Sequence, residues 1–497
     1  GGEQERSRVV GETFALLAII HSNRIPEAQD QIDAVCRRLM TLANERKYVA
    51  EICVSGVCDL IRQLPANRVS VVLIPSLKPF FQGVRIEALT PEQLALLITL
   101  EQCIPRSNVC KLVPSLQQKS VLDPKTHVPK LIECLKSSTV SHPRIHFVWD
   151  LLLQSVLHQN GSEPVNIALL TALWTHVVEG GLLQAGHSRK HLAFRLFCQL
   201  LPHLAHSDNF TVLFTRTFIQ VLVENLAKNK SFLFEPAKNA LHAIGEVAKM
   251  NGSVRTYTLS TLTEKAGVSF ESLQKNKLFS SLFSEFDAGS TGTADYVDFL
   301  IQLFLHGDAS NEQQKRWVVE QLFRLCRNRR IEREQEWVSR IVQLMVVHAL
   351  FQPASGSQRG KQQQKKETVQ KGKKKKQGRS GGASSAASSS SQLPAVEMIA
   401  ISVSKGIRES CANRLLALIT DLVTNPSLRS APSVASGSGG EERDSRVHQS
   451  FWIEFCSNVI QECEDSMALE RCPDKLSMGD TKDKAPLEAE EEEEEEE

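Results

Sequence analysis

Between Arg6 and Phe351 apolar side chains return every three or four positions, the spacing of one buried face on an α-helix. The clearest stretch is Phe210, Leu213, Phe214, Thr217, Phe218, Val221, Leu222, Asn225 and Leu226, with Thr211, Thr215, Gln220, Glu224 and Lys228 opposite. Asp208 stands where a cap belongs, and Lys228-Asn229-Lys230 ends the pattern, so one helix from Asp208 to Leu226 is predicted. In the next segment Ala237, Ala240, Leu241, Ile244, Val247 and Ala248 repeat the period. Pro236 suits a first turn there, and Asn251-Gly252 predicts a left-handed C-terminal cap. A large-faced helix followed by a small-faced one cannot hide its own stripe; only stacking on neighbouring pairs closes the core.

Thr90-Pro91-Glu92-Gln93 predicts an N-cap, a first-turn proline and a capping glutamine ahead of Leu94–Leu100. Further helix starts are expected near Pro143, Pro164, Asn311 and Arg333. The β-branched run Val69-Ser70-Val71-Val72-Leu73-Ile74 sits between helical patterns and ends at Pro75, so it too is read as helix. Pairs recur at a drifting spacing of about 40 residues, as in HEAT or armadillo repeats. The expected fold is all-α, an irregular HEAT/armadillo-like α-solenoid. Val396–Val423 and Phe451–Met467 resume helical patterns and are expected to pack back on it.

At 497 residues the chain exceeds a single core, and with 41% hydrophobic residues it can bury ample apolar surface. The net charge of +1 conceals two opposite blocks. Lys361, Lys365, Lys366, Lys371, Lys373, Lys374, Lys375, Lys376 and Arg379 crowd a Lys/Gln/Ser-rich stretch, while Glu488 and Glu490–Glu497 close the sequence. Neither block offers enough apolar surface to offset its ordering entropy, so both are expected to be disordered. The resulting division is a helical-repeat region over 1–352, a basic insertion over 353–394, further helices over 395–467 and an acidic tail over 468–497.

Twelve scattered cysteines, none in a CxxC pair, read as reduced packed thiols. No apolar run approaches the roughly 20 residues of a membrane helix, and Gly1–Arg6 has no signal-peptide character. A start without Met and an end within a Glu run are the marks expected of a fragment.

Phosphate-binding glycine loops, HExxH and GxSxG are missing, so no catalytic residue and no cofactor is proposed. His142 and His146, like His187 and His191, stand four apart, which would place each pair on one helical face, but zinc needs three or four ligands. Asp287, Thr291, Asp295 and Asp298 fall at positions 1, 5, 9 and 12 of a calcium loop, with Gly292 at position 6. Gly289 at position 3, Ala294 at position 8 and the short Asp298 at position 12 depart from that pattern, leaving an inter-helix capping loop as the plainer reading. A calcium-regulated switch stays open as an alternative. The Lys361–Arg379 cluster reads as a nuclear-import signal or a phosphate-binding arm. Single-strand readers interleave aromatics with cations; here the phenylalanines lie mostly on apolar stripes, so nucleic-acid contact is expected to be to backbone phosphates.

Four blocks carry a resemblance: Ser141-His142-Pro143-Arg144-Ile145-His146-Phe147-Val148-Trp149-Asp150-Leu151-Leu152, Glu179-Gly180-Gly181-Leu182-Leu183, Ser188–Phe197 and Phe234–Leu241. Together they resemble the Myb-binding protein 1a family, also called DNA polymerase phi or the fifth yeast polymerase. The resemblance covers most of Arg6–Ile419, with Ser188-Arg189-Lys190-His191 in place of a more usual Glu-Arg-Lys-Tyr. It implies a protein of the nucleus and nucleolus that supports large-subunit ribosome assembly, pre-rRNA processing and ribosomal DNA transcription. Implied partners are pre-ribosomal RNA, ribosomal DNA, ribosome assembly factors and transcription factors, with no membrane. The polymerase name finds only Asp480 and Asp483 in the acidic tail, whereas nucleotide transfer needs carboxylates held rigidly around two metals. A HEAT-repeat transport receptor or adaptor is the rival reading.

Overall fold

The structure, a computed structural model, describes residues 2–22, 29–138, 145–157, 165–205, 207–264, 272–273, 276–306, 312–354, 393–424, 428–429 and 441–472. The basic cluster Lys361–Arg379, the acidic run from Glu488, and Pro143, Pro164 and Asn311 lie outside the described residues. The all-α, solenoid-like architecture expected from the periodicity is the one observed, in two compact units, Gly1–Thr293 and Ala294–Glu497.

In the first unit the longer helices are α1 (Gly2–His21), α2 (Gln29–Glu45), α3 (Lys47–Gln63), α4 (Pro91–Cys103) and α5 (Val148–Leu157). They are followed by α6 (His187–Leu204), α7 (Arg216–Leu226), α8 (Phe234–Met250) and α9 (Gly252–Glu264). Packing runs mainly between near neighbours in sequence: α1 and α2 on α3, α3 on α4, α4 on α5, then α8 on α6, α7 and α9. Such stacking shares one continuous core among elements that could not bury their stripes alone. The most enclosed helix here is α4, with Leu94–Leu100 all buried. Its start carries the expected capping box: Gln93 N–H donates to Thr90 Oγ1 at 3.2 Å and Thr90 N–H to Gln93 Oε1 at 3.0 Å.

Val69–Ile74 is helical, within a stretch that widens to a π-turn over Val69–Leu73. Pro75 has no N–H and its ring crowds the carbonyl four residues back, and the wider turn absorbs that defect. The predicted Asp208–Leu226 helix is divided in two. Asp208–Leu213 is a 3-10 turn, Phe214 leaves helical geometry at φ −91° and ψ 52°, and α7 begins after Thr215. Thr215 Oγ1 accepts the Phe218 N–H at 3.3 Å, so its hydroxyl starts a helix where the periodicity alone would continue one. The stripe is buried regardless: Phe218 meets Phe197 at 4.4 Å, Phe194 at 5.6 Å and Trp174 at 5.7 Å between ring centroids.

All six predicted small-face residues of α8 are buried, but its C-terminal cap is not left-handed. Asn251 is extended at φ −139°, and its Oδ1 accepts the Ser253 and Val254 N–H groups, so it opens α9 rather than closing α8. Gly252 serves close approach: a Cβ there would lie 2.2 Å from the Gly292 carbonyl oxygen.

The second unit contains α10 (Thr293–His306, its first residue belonging to the preceding unit), α11 (Glu312–Arg327), α12 (Gln335–Leu350), α13 (Lys405–Thr424) and α14 (Glu441–Asp465). At its centre is α12, buried almost all round from Trp337 to Ala349 and packed against α13 and α14. Val396–Val423 is two pieces, a single turn at Val396–Ile399 and then α13. The break is held by α12, because His348 Nε2–H donates to the Ile399 carbonyl at 2.9 Å. Two strand pairs carry no alternating pattern in the sequence. They are β1 (Arg333–Glu334) parallel to β3 (Leu428–Arg429), and β2 (Phe351–Pro353) antiparallel to β4 (Leu469–Arg471). All twelve cysteines are free thiols. Burial pushes Cys36, Cys58, Cys134, Cys326 and Cys411 up to about 12, so these are inert packing groups. Among the described residues no helix is long and apolar enough to cross a membrane.

Candidate nucleic-acid interface

Helix α11 buries Val318, Val319, Leu322, Phe323, Leu325 and Cys326; its polar face mixes Glu312, Gln313, Arg316 and Glu320, and its last turn carries arginines. Arg324 and Arg327 are exposed there, and the following turn adds exposed Arg329 and Arg330. Cations are favoured at a helix C-terminus because they offset its unsatisfied carbonyls. That accounts for Arg324 and Arg327 but not for two more arginines beyond the helix. The turn is fixed by Asn328 Oδ1, which accepts the Arg330 N–H at 3.0 Å, and by Arg333, whose buried guanidinium reaches Asp421 at 2.7 Å.

A fifth cation comes from α13: Arg414 stands over the Phe323 ring at 4.8 Å, with Arg327 at 5.4 Å from the same centroid. Glu320 is shared by Arg324 at 3.1 Å and Arg414 at 2.8 Å. Arg329 and Arg330 form no side-chain ion pair among the described residues. Guanidinium groups with unfilled donors on a rigid turn match the oxygens of phosphates, which they bind through paired hydrogen bonds. The sequence does print this signal, as Arg324-Leu325-Cys326-Arg327-Asn328-Arg329-Arg330, but within an amphipathic period it reads only as a helix end.

The candidate phosphate-binding residues Lys361, Lys365, Lys366, Lys371, Lys373, Lys374, Lys375, Lys376 and Arg379 lie outside the described residues, as do Asp480, Asp483 and His142. His146 precedes α5 rather than lying on a helix. The His146 ring is buried, its Nδ1 accepts the Val148 N–H at 3.1 Å, and it stacks on Phe147. His187 and His191 do share the start of α6. Among the described residues no group of three or more His, Cys, Asp or Glu could hold a metal ion.

The calcium-like loop has other employment. Gly292 takes the left-handed turn that position 6 requires, at φ +67°, but Asp287 N–H donates to the Lys249 carbonyl at 3.1 Å and Thr291 N–H to that of Met250 at 2.9 Å. Asp298, expected to close the loop, sits inside α10, and Arg340 Nη1 binds both of its oxygens at 2.6–2.7 Å.

Among the described residues, the open hollows of the first unit include two. One, of about 480 Å³, is lined by Asp33, Arg37, Val71, Pro75 and Ser76. The other, of about 500 Å³, holds Phe14, His21, Glu51, Ser55, Asp59 and Asp150, and burial together with Glu51 raises the Asp150 carboxyl above its ordinary range. His21 Nε2 lies 3.2 Å from Asp59, but Ser55 makes no hydrogen bond to His21, so the three do not form a nucleophile–base relay.

A family model described as DNA polymerase phi matches residues 1–485. The rDNA transcriptional regulator pol5 of Schizosaccharomyces pombe is 19% identical over 383 residues, 71% of this chain and 38% of the relative. The chain thus spans well under half the length of that curated relative. No solved structure matches it.

Proposed function

The chain belongs to the DNA polymerase phi family, and from that premise we propose that it is a nuclear helical-repeat scaffold that regulates ribosomal DNA transcription by gripping nucleic-acid backbones. The observation that carries the reading is the arginine surface of α11 and its following turn, where only Glu320 is shared between Arg324 and Arg414, while Arg329 and Arg330 have no acidic partner among the described residues. Phosphate neutralisation by such groups releases counterions and is indifferent to base sequence, so a scaffold of this kind reads its target through partners as well as through DNA. Lys361–Arg379 would extend the electrostatic reach of that surface.

The reading extends to the nucleolus, to large-subunit assembly and pre-rRNA processing, with pre-ribosomal RNA, assembly factors and transcription factors as partners. It involves no nucleotide-transfer step, since the surface it uses is cationic and a polymerase site needs clustered carboxylates. The test is chromatin immunoprecipitation of the full-length protein with Arg324, Arg327, Arg329 and Arg330 changed to Glu. Occupancy of ribosomal DNA is expected to fall about tenfold, as leaving several phosphates without their cations requires. Unchanged occupancy, with the variant folded and nuclear, would contradict the reading.

A further inference from the structure

Phe232 departs from the phenylalanines packed beneath it in the same part of the first unit. It is 89% exposed, whereas Phe194, Phe197, Phe210, Phe214 and Phe218 are buried. Its exposure is enforced by the turn joining α7 to α8. Ser231 Oγ donates to Asn225 Oδ1 at 2.9 Å and accepts the Leu233 N–H at 3.2 Å, while Asn225 Nδ2 donates to the Val221 carbonyl at 2.7 Å. Backbone bonds from Ser231 N–H to Lys228 and from Phe234 N–H to Ser231 close the same turn at 2.8 and 3.0 Å. Leu233 fills the core beside them at 2% exposure, so the chain is pinned on both sides and the Phe232 ring must project.

Beside the projecting ring stands the exposed imidazole of His187, at 6.0 Å between centroids and 48° between planes. Cations stand close to this pair in sequence. Lys228 and Lys230 precede Phe232 in the turn, both exposed, and neither has an ion pair among the described residues. Lys190 follows His187 on α6 and likewise has no ion pair among the described residues, whereas the nearby acid Glu235 lies 4.0 Å from Lys238. A protein-docking patch is a contiguous apolar area of several hundred Å²; one ring among lysines is a different object. Aromatic faces interleaved with cations are what unpaired nucleotides use, the ring taking a base and the cations the flanking phosphates. A duplex keeps its base faces inside the stack and has nothing to offer Phe232.

We propose that Phe232 and His187 form a stacking platform for an unpaired base of single-stranded RNA or DNA, with Lys228 and Lys230 on the adjoining phosphates. This rests on the reading of the chain as a nucleic-acid scaffold and gives it a second, strand-selective contact. It also revises the sequence-based expectation of phosphate contact alone.

The test is fluorescence anisotropy of the full chain with labelled oligo-U RNA and oligo-dT of 12 nucleotides and with a duplex of 20 base pairs. Phe232→Ala is expected to weaken single-strand binding about tenfold and leave duplex affinity unchanged, while Phe232→Trp retains single-strand affinity and shows indole quenching on binding. Equal losses on RNA and DNA support a contact to the base face; a loss confined to one strand supports that strand as the ligand. Unchanged single-strand affinity in Phe232→Ala overturns this inference alone, provided the arginine-to-glutamate variant still loses duplex binding. Absence of binding to any of the three probes overturns both readings.

Discussion

Arg333 and Asp421 show how much a single pair can carry: the Arg333 side chain is 3% exposed, Asp421 is 15% exposed, and their contact at 2.7 Å ties the turn after α11 to α13. Removing one partner takes a buried charge-assisted contact from the other. Asp421→Ala is therefore expected to destabilise the second unit by about 3–5 kcal/mol, read as a lower chemical-denaturation midpoint. His348 gives the same unit a pH dependence. Its ring is fully buried, and burial lowers its pKa to about 4, with Lys315 adding to the fall and the hydrogen bond to Ile399 opposing it. The unfolded chain binds this proton near 6.5, so the stabilisation is complete above that pH and drains as pH falls from 6.5 towards 4. The slope is about 1.4 kcal/mol per pH unit in that window. His348→Gln, which keeps a donor for Ile399, should flatten it in urea melts at stepped pH; an unchanged slope would assign it elsewhere. Neither residue was legible from the sequence, where Arg333 is one arginine among several and His348 one polar position on an apolar helix. Burial of a charge is a tertiary property.

At the scale of elements, period and cap are separate signals, and the period was the more readable one. The stripe of α8 and the box at Thr90-Gln93 follow from spacing alone, because each is decided within four residues. Thr215 and Asn251 are different: each can continue a helix, end one or start one, and the choice is made by what the next segment packs against. Asn251 is fixed by its side-chain bond to the Ala205 carbonyl and by the parallel bridge to Thr291, both remote in sequence. The backbone approach of Gly252 to Gly292 belongs to the same junction, so Gly252→Ala is expected to cost about 1–3 kcal/mol in thermal unfolding of the first unit. A drop of only about 0.5 kcal/mol or less, the range of an ordinary surface change, would mean that the junction yields readily. The calcium-like spacing meets a kindred obstacle: Asp298 is already matched to Arg340 on α12. Millimolar calcium is expected to leave the melting temperature unchanged, and a rise of several degrees would restore the calcium-switch reading.

For the molecule as a whole, class of fold and absence of familiar catalytic motifs were legible, since both depend on patterns repeated or missing along the entire chain. The division between Thr293 and Ala294 was not, because it falls at the first turn of α10 with no change of composition. Nor was the candidate interface. The lysine run was conspicuous in the sequence, whereas Arg324–Arg330 merges with an amphipathic helix and Arg414 joins it only through the packing of α13 on α11. Phe232 was hidden by its companions: five buried phenylalanines make a sixth look like core. The central claim, that this chain holds nucleic acid by its phosphates through that arginine surface, meets its most direct test in a salt titration. The affinity of the purified chain for a ribosomal DNA duplex would be measured across salt concentrations, for the native protein and for the variant with Arg324, Arg327, Arg329 and Arg330 changed to Glu. The slope of log affinity against log salt should shrink by about 0.9 for each phosphate no longer neutralised, roughly three to four in all. Identical slopes for the two proteins would contradict it.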